Sequence, residues 1–396
     1  MLTAQANVRR SDITILSGAY FTFFAIVGLM VPYLSVYLDR LGYDSQSIGE
    51  LLAMVATMRI IGPSLWSAIA DKTGRHILVA RIGGLCALLS LVSLFWLESR
   101  LGRLIALAAF NLFWTAVLPQ VEVITLRKLA VIPGMYGKVR SAGSLGFIVI
   151  STLAGVAIAD YGADAFVAIG VILAVLLLAN LCLVAQPKIP QQQIQQEAQS
   201  HAPFWSLALI GLVTCSFLIQ TSHGAYYSFF ILYMVDLGYS EFAAGWLVAL
   251  GVLAEIVLFW RIGSLFSRFR LMTLFQAALV LTCLRWLLMS GWADIWPVLT
   301  LSLLLHAASF GIIHACSMRW LHHHIASAHH SKAQALYSGT GFGAGSVAGP
   351  AVVAPLWQQG AGAMESYLVC AGIAALAIVV FQLTIKSSAM NDSPPE

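Results

Sequence analysis

Long apolar runs separated by short polar loops follow one another along almost the whole chain. Twelve runs are long enough to cross the hydrocarbon core of a bilayer as α-helices, which takes about 20 residues each. They are Ile13–Leu38, Ile48–Ala70, Ile77–Leu97, Leu104–Leu126, Ser141–Ala159, Ala165–Val184, Phe204–Val235, Phe242–Trp260, Leu271–Leu288, Trp296–Met318, Ala333–Leu356 and Tyr367–Leu383. Membrane β-strands instead alternate polar and apolar residues over about 10 positions. The pattern therefore predicts an all-α membrane protein with twelve transmembrane helices.

Composition supports a membrane protein and excludes several other classes. Hydrophobic residues make up 60% of the 396 residues and charged residues 10%, compared with roughly 25% charged residues in an ordinary soluble domain. A soluble fold of this size needs a more polar surface, so a soluble enzyme and a disordered chain are excluded. We identify no catalytic constellation and expect neither a metal site nor a bound cofactor. The small net charge of +4 suits basic loops facing anionic lipid and predicts no nucleic-acid partner.

The distribution of basic residues predicts which side of the membrane each loop faces. If both termini lie in the cytoplasm, only Arg40, Arg100 and Arg103 of the 21 Lys and Arg residues fall in loops on the opposite side. Cytoplasmic loops of membrane proteins carry an excess of Lys and Arg. We therefore expect a multi-pass protein with both termini in the cytoplasm.

The sequence divides into two related halves. A segment rich in Gln and Pro, residues 186–203, separates residues 1–185 from residues 204–396 and is typical of a flexible cytoplasmic linker. A shift of 196 positions places Gly49 on Gly245. We expect each half to form a six-helix bundle that contains inverted repeats, and the two bundles to be pseudo-symmetric.

Charged residues inside the predicted spans indicate a polar interior. The same shift places Arg59 on Glu255, and Arg285 lies within the ninth span. A charge at the centre of a bilayer costs several kcal/mol unless it is paired or hydrated. These positions predict either structural ion pairs or a polar cavity at the interface of the halves, and we favour the cavity.

The loop after the second span resembles a family signature. Residues 67–76 read Ser-Ala-Ile-Ala-Asp-Lys-Thr-Gly-Arg-His, which is similar to the G-x-L-A-D-R-x-G-R-K loop of the major facilitator superfamily. Gly74 would permit a tight turn, and Asp71 and Arg75 would form a compact charge pair. The resemblance implies a gating loop that latches the halves in one state and releases them in the other. A plain topogenic loop is the alternative.

Other stretches narrow the resemblance to one branch of that superfamily. Residues 111–122, residues 136–147, Glu255 and the pair Arg285-Trp286 are similar to the phenylpropionate permease branch of lactose-permease-like proton symporters. The resemblance covers essentially the whole chain. It implies a monomeric secondary transporter of the bacterial inner membrane that works by alternating access and uses the proton gradient as its energy source.

That resemblance also implies a substrate site on the fourth and fifth spans. In lactose-permease-like symporters an acidic residue, an Arg and an aromatic residue two turns later contact the sugar, and Glu122, Arg140 and Phe147 match these positions. Arg140 and Phe147 share one helix face, because seven residues turn about 700°. Asn111 would lie on the same stripe as Glu122, and Pro119 predicts a kink beside it. Alternatively, Glu122 and Arg140 merely mark the end of the span.

Further polar and aromatic residues would line the same site. Arg59 is one candidate, and His223 and Tyr227 follow one face of the seventh span, whose polar middle can line a cavity. The first span offers a cluster of aromatic residues, namely Tyr20, Phe21, Phe23 and Phe24. For each single aromatic residue, ordinary packing is the alternative.

Proton coupling is expected to involve the eighth, ninth and tenth spans. His306 resembles the coupling-site histidine of the sugar symporters, but Ser309 stands where those proteins have a Glu. The proton would then be carried by Glu255, Glu122 or His306, with Arg285 as the counter-charge for Glu255 or for the substrate. Burial of a carboxylate favours its protonated form, and a nearby Arg favours its ionised form, so a move between the two environments would load and release a proton. A buried neutral His306 with a structural role is the alternative.

The balance of embedded charges favours an anionic substrate. Arg59, Arg140 and Arg285 supply three positive charges, and Glu122 and Glu255 supply two negative charges, so a monocarboxylate would neutralise the excess. We therefore expect proton-coupled uptake of a small organic acid, with aromatic acids such as phenylpropionate among the candidates. Sugar or nucleoside symport, efflux of drugs or metabolites, and a non-transporting membrane receptor are the alternatives.

Overall fold

A computed structural model describes residues 9–130, 132, 134–185, 204–326 and 329–385, and no β-strand occurs among them. The predicted linker, residues 186–203, lies outside these residues. The helices before the linker are α1 Arg10–Arg40, α2 Ser45–Thr73, α3 His76–Ser93, α4 Arg100–Trp114, α5 Val117–Leu129, α6 Met135–Tyr161 and α7 Ala163–Leu183. The all-α architecture predicted from the apolar runs is confirmed.

The segments after the linker are also helical, with two stretches of π-helix. They are α8 Leu207–Ser222, α9 Gly224–Asp236, α10 Glu241–Arg268, α11 Leu271–Gly291, α12 Trp296–Leu304, π1 Ala307–Ile312, α13 Ile313–His324, α14 His330–Leu336, π2 Tyr337–Ala344, α15 Gly345–Trp357 and α16 Ala363–Thr384, with a single 3₁₀ turn, Gln358–Gly360, between the last two. When α4 with α5, α8 with α9, and α12 through α13 are each counted as one interrupted helix, eleven helices of the described chain are long and apolar enough to cross a membrane. The remaining predicted span, Ala333–Leu356, is divided among α14, π2 and α15. The protein is a multi-pass membrane protein.

Two of the long helices are interrupted near the candidate site residues. The break between α4 and α5 falls at Thr115 and Ala116, ahead of Pro119, whose missing amide cannot bond to the Thr115 carbonyl. The break between α8 and α9 falls at His223. The break at Thr115 places Asn111 and Glu122 on separate helices, so the single regular stripe expected for them is interrupted.

The described chain contains two compact units, of which the first comprises residues 9–41, 57–185 and 240–246. In this unit α1 packs along α6 and α7, and α3 packs against α4, α5 and α7. Gly28 brings the backbones of α1 and α6 together, because a Cβ atom there would lie 3.1 Å from the Phe147 Cα. Such close approach at small residues is how membrane helices gain van der Waals contact.

The second unit comprises residues 42–56, 204–239 and 247–385. Here α16 packs along α8 and α11, and α15 packs against α8 and α9. Gly224 and Gly349 allow α9 and α15 to meet, since the Cβ built on Gly349 would lie 2.9 Å from the Gly224 Cα. Phe229 and Trp357 stack with ring centroids 4.7 Å apart. This packing fixes α8 and α9, which carry part of the candidate site.

Candidate functional site

A buried arginine lies at the centre of a polar cluster in the second unit. Arg285 of α11 has 0% of its surface exposed. Its Nη1 donates hydrogen bonds to Ser309 Oγ at 2.9 Å and to His306 Nδ1 at 3.0 Å, and lies 3.4 Å from His223 Nε2. Residues from α8–α9, from α11 and from the α12–π1 region thus meet at one guanidinium.

Two aromatic rings enclose the same guanidinium. The Arg285 Cζ lies 4.4 Å from the ring centroid of Tyr226 and 4.2 Å from that of Trp286. Trp286 is held in turn by a 3.1 Å hydrogen bond from its Nε1 to Ser222 Oγ. Cation–π contact offsets part of the cost of removing the guanidinium from water, but the rings bring no net negative charge.

The hydrogen bonds around His223 and His306 indicate which ring nitrogens donate and which accept. His223 Nδ1 lies 2.8 Å from the Ile219 carbonyl oxygen and donates to it, so its Nε2 is the acceptor facing Arg285. His306 Nδ1 accepts from Arg285. Both rings are therefore assigned as neutral acceptors, and protonation of either acceptor nitrogen would break its hydrogen bond and place a second cation beside Arg285.

The positive charge of Arg285 has only neutral partners. Its Nε and Nη2 are buried and make no hydrogen bond, and the ion pairs found among the described residues do not include it. A buried charge is strongly unfavourable unless it is paired and hydrogen-bonded. The cluster is therefore electrostatically suited to receive an anion.

Glu255 of α10 does not supply that anion in the described structure. Its carboxylate forms no ion pair with a basic side chain of the described part of the second unit, and its Cγ packs beside Gly311 of π1. The described structure therefore does not pair Glu255 with Arg285, which is one of the two roles expected for Arg285.

Two candidate substrate residues of the first unit are close together. Arg140 Nε of α6 lies 3.6 Å from Glu122 Oε1 of α5, and about a third of each side chain is exposed, 33% and 35%. The Arg140 Cζ lies 4.1 Å from the ring centroid of Phe24 and 5.4 Å from that of Tyr20, both on α1. Phe147 lies two turns further along α6, but the rings that contact Arg140 come from α1.

Arg59 and Asn111 form a second pair of candidates in this unit. Arg59 Nε donates to Asn111 Oδ1 at 3.1 Å, and Asn111 Nδ2 donates to the Leu107 carbonyl oxygen at 2.9 Å. The Trp114 ring centroid lies 5.9 Å from the Arg59 Cζ. Asn111 is fully buried. Its amide holds the Arg59 side chain by a hydrogen bond but, being uncharged, does not neutralise it.

The candidate gating loop has the expected turn but not the expected ion pair. Gly74 has φ +68°, a left-handed conformation that glycine tolerates best. The prediction of a charge pair between Asp71 and Arg75 is wrong, because no ion pair joins them among the described residues; α2 ends between them, so they are not neighbours on one continuous helix. The group near Asp71 Oδ1 is instead His76 Nε2, at 3.9 Å. His76 Nδ1 lies 2.6 Å from Gln120 Oε1 and links the loop to α5.

The structure thus joins residues that the sequence assigned to separate roles. Tyr227 and His223, expected to bind substrate, stack with ring centroids 5.5 Å apart, and both lie beside the expected coupling residues Arg285 and His306. The sequence did not identify Tyr226 and Trp286, whose rings enclose the Arg285 guanidinium, because only the packing of the helices shows which way these rings point. No group of three or more His, Cys, Asp or Glu in the described ranges is placed to hold a metal ion.

Comparison with known proteins agrees with the fold. The family model described as "MFS_1 like family" matches residues 13–369. The nucleoside transporter NupG superposes with a TM-score of 0.79 at 17% identity, covering 94% of this chain and 98% of NupG. The peptide transporter PepTSo of the POT family gives a TM-score of 0.73 at 13% identity, covering 97% and 99%.

Two curated proteins are similar in sequence. The probable 3-phenylpropionic acid transporter of Escherichia coli (strain K12) is 32% identical over 319 residues, which cover 77% of this chain and 81% of that protein. The maltose permease of Geobacillus stearothermophilus is 26% identical over 345 residues, covering 82% and 83%. The chain belongs to the MFS_1 like family of the major facilitator superfamily and is a membrane transporter of small molecules rather than an enzyme.

Proposed function

We propose that the protein takes up a small organic acid together with protons. The observation that carries this proposal is Arg285, a fully buried cation with two unpaired nitrogens and only neutral partners among the described residues. A substrate carboxylate would supply the missing negative charge and accept hydrogen bonds from the guanidinium, which matches carboxylate geometry in a bidentate manner. A neutral substrate would leave that charge uncompensated.

An aromatic acid is the preferred candidate. The relative with 32% identity is a probable 3-phenylpropionic acid transporter, and Tyr226, Tyr227 and Trp286 surround the Arg285 cluster with rings. Aromatic surfaces favour a planar apolar group through edge-to-face and offset-stacked contacts.

We assign the proton to Glu255. Glu122 already has a cation, Arg140, at 3.6 Å, and His223 and His306 use their acceptor nitrogens toward Arg285. Glu255 is partly buried on α10 and forms no ion pair among the described residues. Because no cation holds Glu255 in its ionised form among the described residues, its carboxylate can take a proton from one side of the membrane and release it on the other.

In this proposal the protein works as a monomer in the bacterial inner membrane by alternating access, with both termini in the cytoplasm. No cofactor takes part, because the proton gradient drives accumulation. If one proton enters with each acid anion, no net charge crosses the membrane in a transport cycle. The loop from Asp71 to Arg75 would control the change of access, and its link from His76 to Gln120 connects it to the helix that carries Glu122.

Sugar symport is the second candidate. Glu122 and Arg140 lie 3.6 Å apart at the positions where the family resemblance implies sugar contact, and a maltose permease is among the relatives. In this case Arg285 would have a structural or coupling role only.

Transport by purified protein in liposomes distinguishes these functions. Proteoliposomes with an alkaline interior are offered radiolabelled 3-phenylpropionate, hexanoate, maltose or uridine, and protein-free liposomes correct for passive entry of the acids. We expect accumulation of 3-phenylpropionate that stops when a protonophore collapses the gradient. Equal uptake with and without the gradient would refute proton coupling, and uptake of maltose without uptake of either acid would establish the second candidate instead.

A matched pair of variants tests the role of Arg285 in the same assay. Arg285→Gln should abolish acid uptake, because an uncharged amide cannot pair with the carboxylate. Arg261→Gln, which changes an exposed arginine on α10, should transport the acid as the unmodified protein does. Equal acid uptake by both variants would show that the charge of Arg285 is not needed to bind the substrate carboxylate, and the proposal would lose its main support.

A further inference from the structure

A small cavity lies in the second unit between α8, π1 with the start of α13, and π2. Its volume is about 10 Å³, which is room for about one water molecule. Four of the side chains that line it are polar, namely Ser216, Gln220, Ser309 and Tyr337. A buried water molecule needs about two to four polar partners, so the cavity has both the size and the lining of a water site.

The α8 side chains of this lining keep acceptor atoms for a water molecule. Ser216 Oγ donates to the Leu212 carbonyl oxygen at 2.9 Å, and Gln220 Nε2 donates to Ser346 Oγ at 3.1 Å. A hydroxyl oxygen that donates its hydrogen still has lone pairs, and an amide group that donates through nitrogen still has its carbonyl oxygen. Ser216 Oγ and Gln220 Oε1 can therefore each accept a hydrogen bond.

Ser309 joins the cavity to the Arg285 cluster. Its Oγ accepts from Arg285 Nη1 at 2.9 Å and donates to the His306 carbonyl oxygen at 3.2 Å. Because a hydroxyl oxygen can accept two hydrogen bonds, one lone pair remains for a water molecule. A water molecule in the cavity would thus be connected to the buried guanidinium through a single hydroxyl group.

Tyr337 joins the same cavity to His314. The Tyr337 hydroxyl oxygen lies 3.4 Å from His314 Nδ1, which is within hydrogen-bond distance. Tyr337 has 0% of its surface exposed, whereas His314 is partly exposed. His314 belongs to α13, which ends at His324, on the side that the predicted topology assigns to the cytoplasm. The lining therefore leads from a buried cluster to a more accessible histidine.

We propose that one water molecule occupies this cavity and that Ser309, this water, Tyr337 and His314 conduct the coupled proton from π1 to the cytoplasm. The inference rests on the proposed function, because it gives a route to the proton that drives uptake. Glu255, the proposed proton carrier, packs beside Gly311, which belongs to the same π-helical segment as Ser309. The chain of hydrogen-bonding groups thus begins at the segment against which the carrier lies.

Each transfer moves one hydrogen to the next group. The proton of Glu255 adds to Ser309 Oγ, whose own hydroxyl hydrogen turns from the His306 carbonyl and passes to the water. The water passes a hydrogen to Tyr337 Oη, and the Tyr337 hydroxyl hydrogen passes to His314 Nδ1. The His314 imidazolium then loses the proton on Nε2 to cytoplasmic water. Rotation of the hydroxyl groups and exchange between the histidine tautomers restore the starting arrangement, and only Glu255 has lost a proton.

Removal of the Tyr337 hydroxyl tests the chain. Tyr337→Phe keeps the buried ring and interrupts the route. Accumulation of 3-phenylpropionate driven by a pH gradient should therefore slow about tenfold or more, since a positioned side chain contributes about 10²–10⁴-fold to proton transfer. Exchange of labelled for unlabelled acid needs no net proton movement and should keep its rate. Tyr161→Phe, at an exposed position of α6, is the matched control and should transport as the unmodified protein does.

Two further measurements test the outer end of the chain and the water itself. His314→Gln keeps a polar side chain that cannot take up the proton, and it should slow accumulation in the same way without slowing exchange. His323→Gln, at an exposed position of α13, should have no effect. A crystal structure of the unmodified protein should show one ordered water within about 3.2 Å of Ser309 Oγ and of Tyr337 Oη.

The outcomes separate this inference from the proposed function. If the unmodified protein accumulates no acid in response to the gradient, the proposed coupling is wrong and the chain is refuted with it. If it does accumulate the acid, and Tyr337→Phe and His314→Gln do so at the same rate, only the chain is refuted. If either variant loses exchange together with accumulation, its residue serves substrate binding or folding, and its role in proton conduction is refuted. Absence of the ordered water would refute the water site.

Discussion

Arg40 at the end of α1 and Glu241 at the start of α10 form an ion pair with Nη2 and Oε1 2.6 Å apart, although 201 positions separate them in sequence. Arg40 also donates to the Ile158 carbonyl oxygen at the end of α6. The Tyr33 hydroxyl donates to the Ser151 carbonyl oxygen at 2.6 Å. Within the first unit, these contacts hold the first turn of α10 against α1 and α6.

A double-mutant cycle measures the strength of this ion pair. Arg40→Glu and Glu241→Arg should each destabilise the protein through like-charge repulsion, and the double variant should recover part of the loss. Because both side chains are partly exposed, we expect a coupling energy of about 0.5–1 kcal/mol. The midpoints of thermal unfolding of the four proteins in detergent provide the comparison. Strictly additive effects of the two substitutions would show that the pair contributes nothing.

Gly245 permits the close packing of α10 in the same region. A Cβ atom there would collide with the Ser151 carbonyl oxygen and the Tyr33 hydroxyl, whereas a Cβ on Gly263 of the same helix would meet no atom within 4 Å. We expect Gly245→Ala to destabilise the protein by about 1–3 kcal/mol through overpacking. Gly263→Ala should be neutral or slightly stabilising, because alanine favours the helix more than glycine does. Indistinguishable unfolding midpoints for the two variants would contradict the observed packing.

Arg81 of α3 satisfies the carbonyl groups at the end of α7. Its Nε donates to the Leu181 carbonyl oxygen at 3.0 Å, and its Nη2 donates to those of Cys182 and Val184 at 3.0 and 2.9 Å. The last carbonyls of a helix lack partners within the helix and carry partial negative charge. Arg81→Met should therefore cost about 1–3 kcal/mol. Arg127→Met, at an exposed position of α5, should change the unfolding midpoint much less, and an equal loss in both variants would argue against the cap.

The sequence was informative where function depends on local pattern. Apolar runs predicted the helical spans, and the glycine at position 74 predicted the turn that the structure shows at φ +68°. The family resemblance matched Glu122 and Arg140 to two positions that contact the substrate, and the structure places these two side chains 3.6 Å apart. In each case the decisive information lies within one helix, one loop or one family motif.

The Arg285 cluster could not be derived in this way. His223 lies 62 positions before Arg285 and Ser309 lies 24 positions after it, and their meeting depends on how α8, α11 and π1 rotate against one another. Nothing in the helical period predicts π1, which changes the register after His306. Charge accounting could show that a positive charge was in excess, but only the packed helices show that Arg285 is the cation with neutral partners.

Glu255→Gln separates proton coupling from substrate binding. Removal of the ionisable group should abolish accumulation driven by a pH gradient, because no proton can be loaded. Exchange of labelled for unlabelled 3-phenylpropionate across the membrane should continue, since it needs no net proton movement. Both rates can be measured in the same proteoliposomes, with Glu122→Gln for comparison. Gradient-driven accumulation that survives in Glu255→Gln would assign the proton to another group.

The most direct measurement is calorimetric binding of 3-phenylpropionate to purified protein and to Arg285→Gln, with Arg261→Gln as the control. The unmodified protein and Arg261→Gln should bind the acid with similar affinity, and Arg285→Gln should bind at least about tenfold more weakly, because the buried cation has lost its charge. Undiminished affinity in Arg285→Gln would contradict the assignment of this guanidinium as the receptor of the substrate carboxylate.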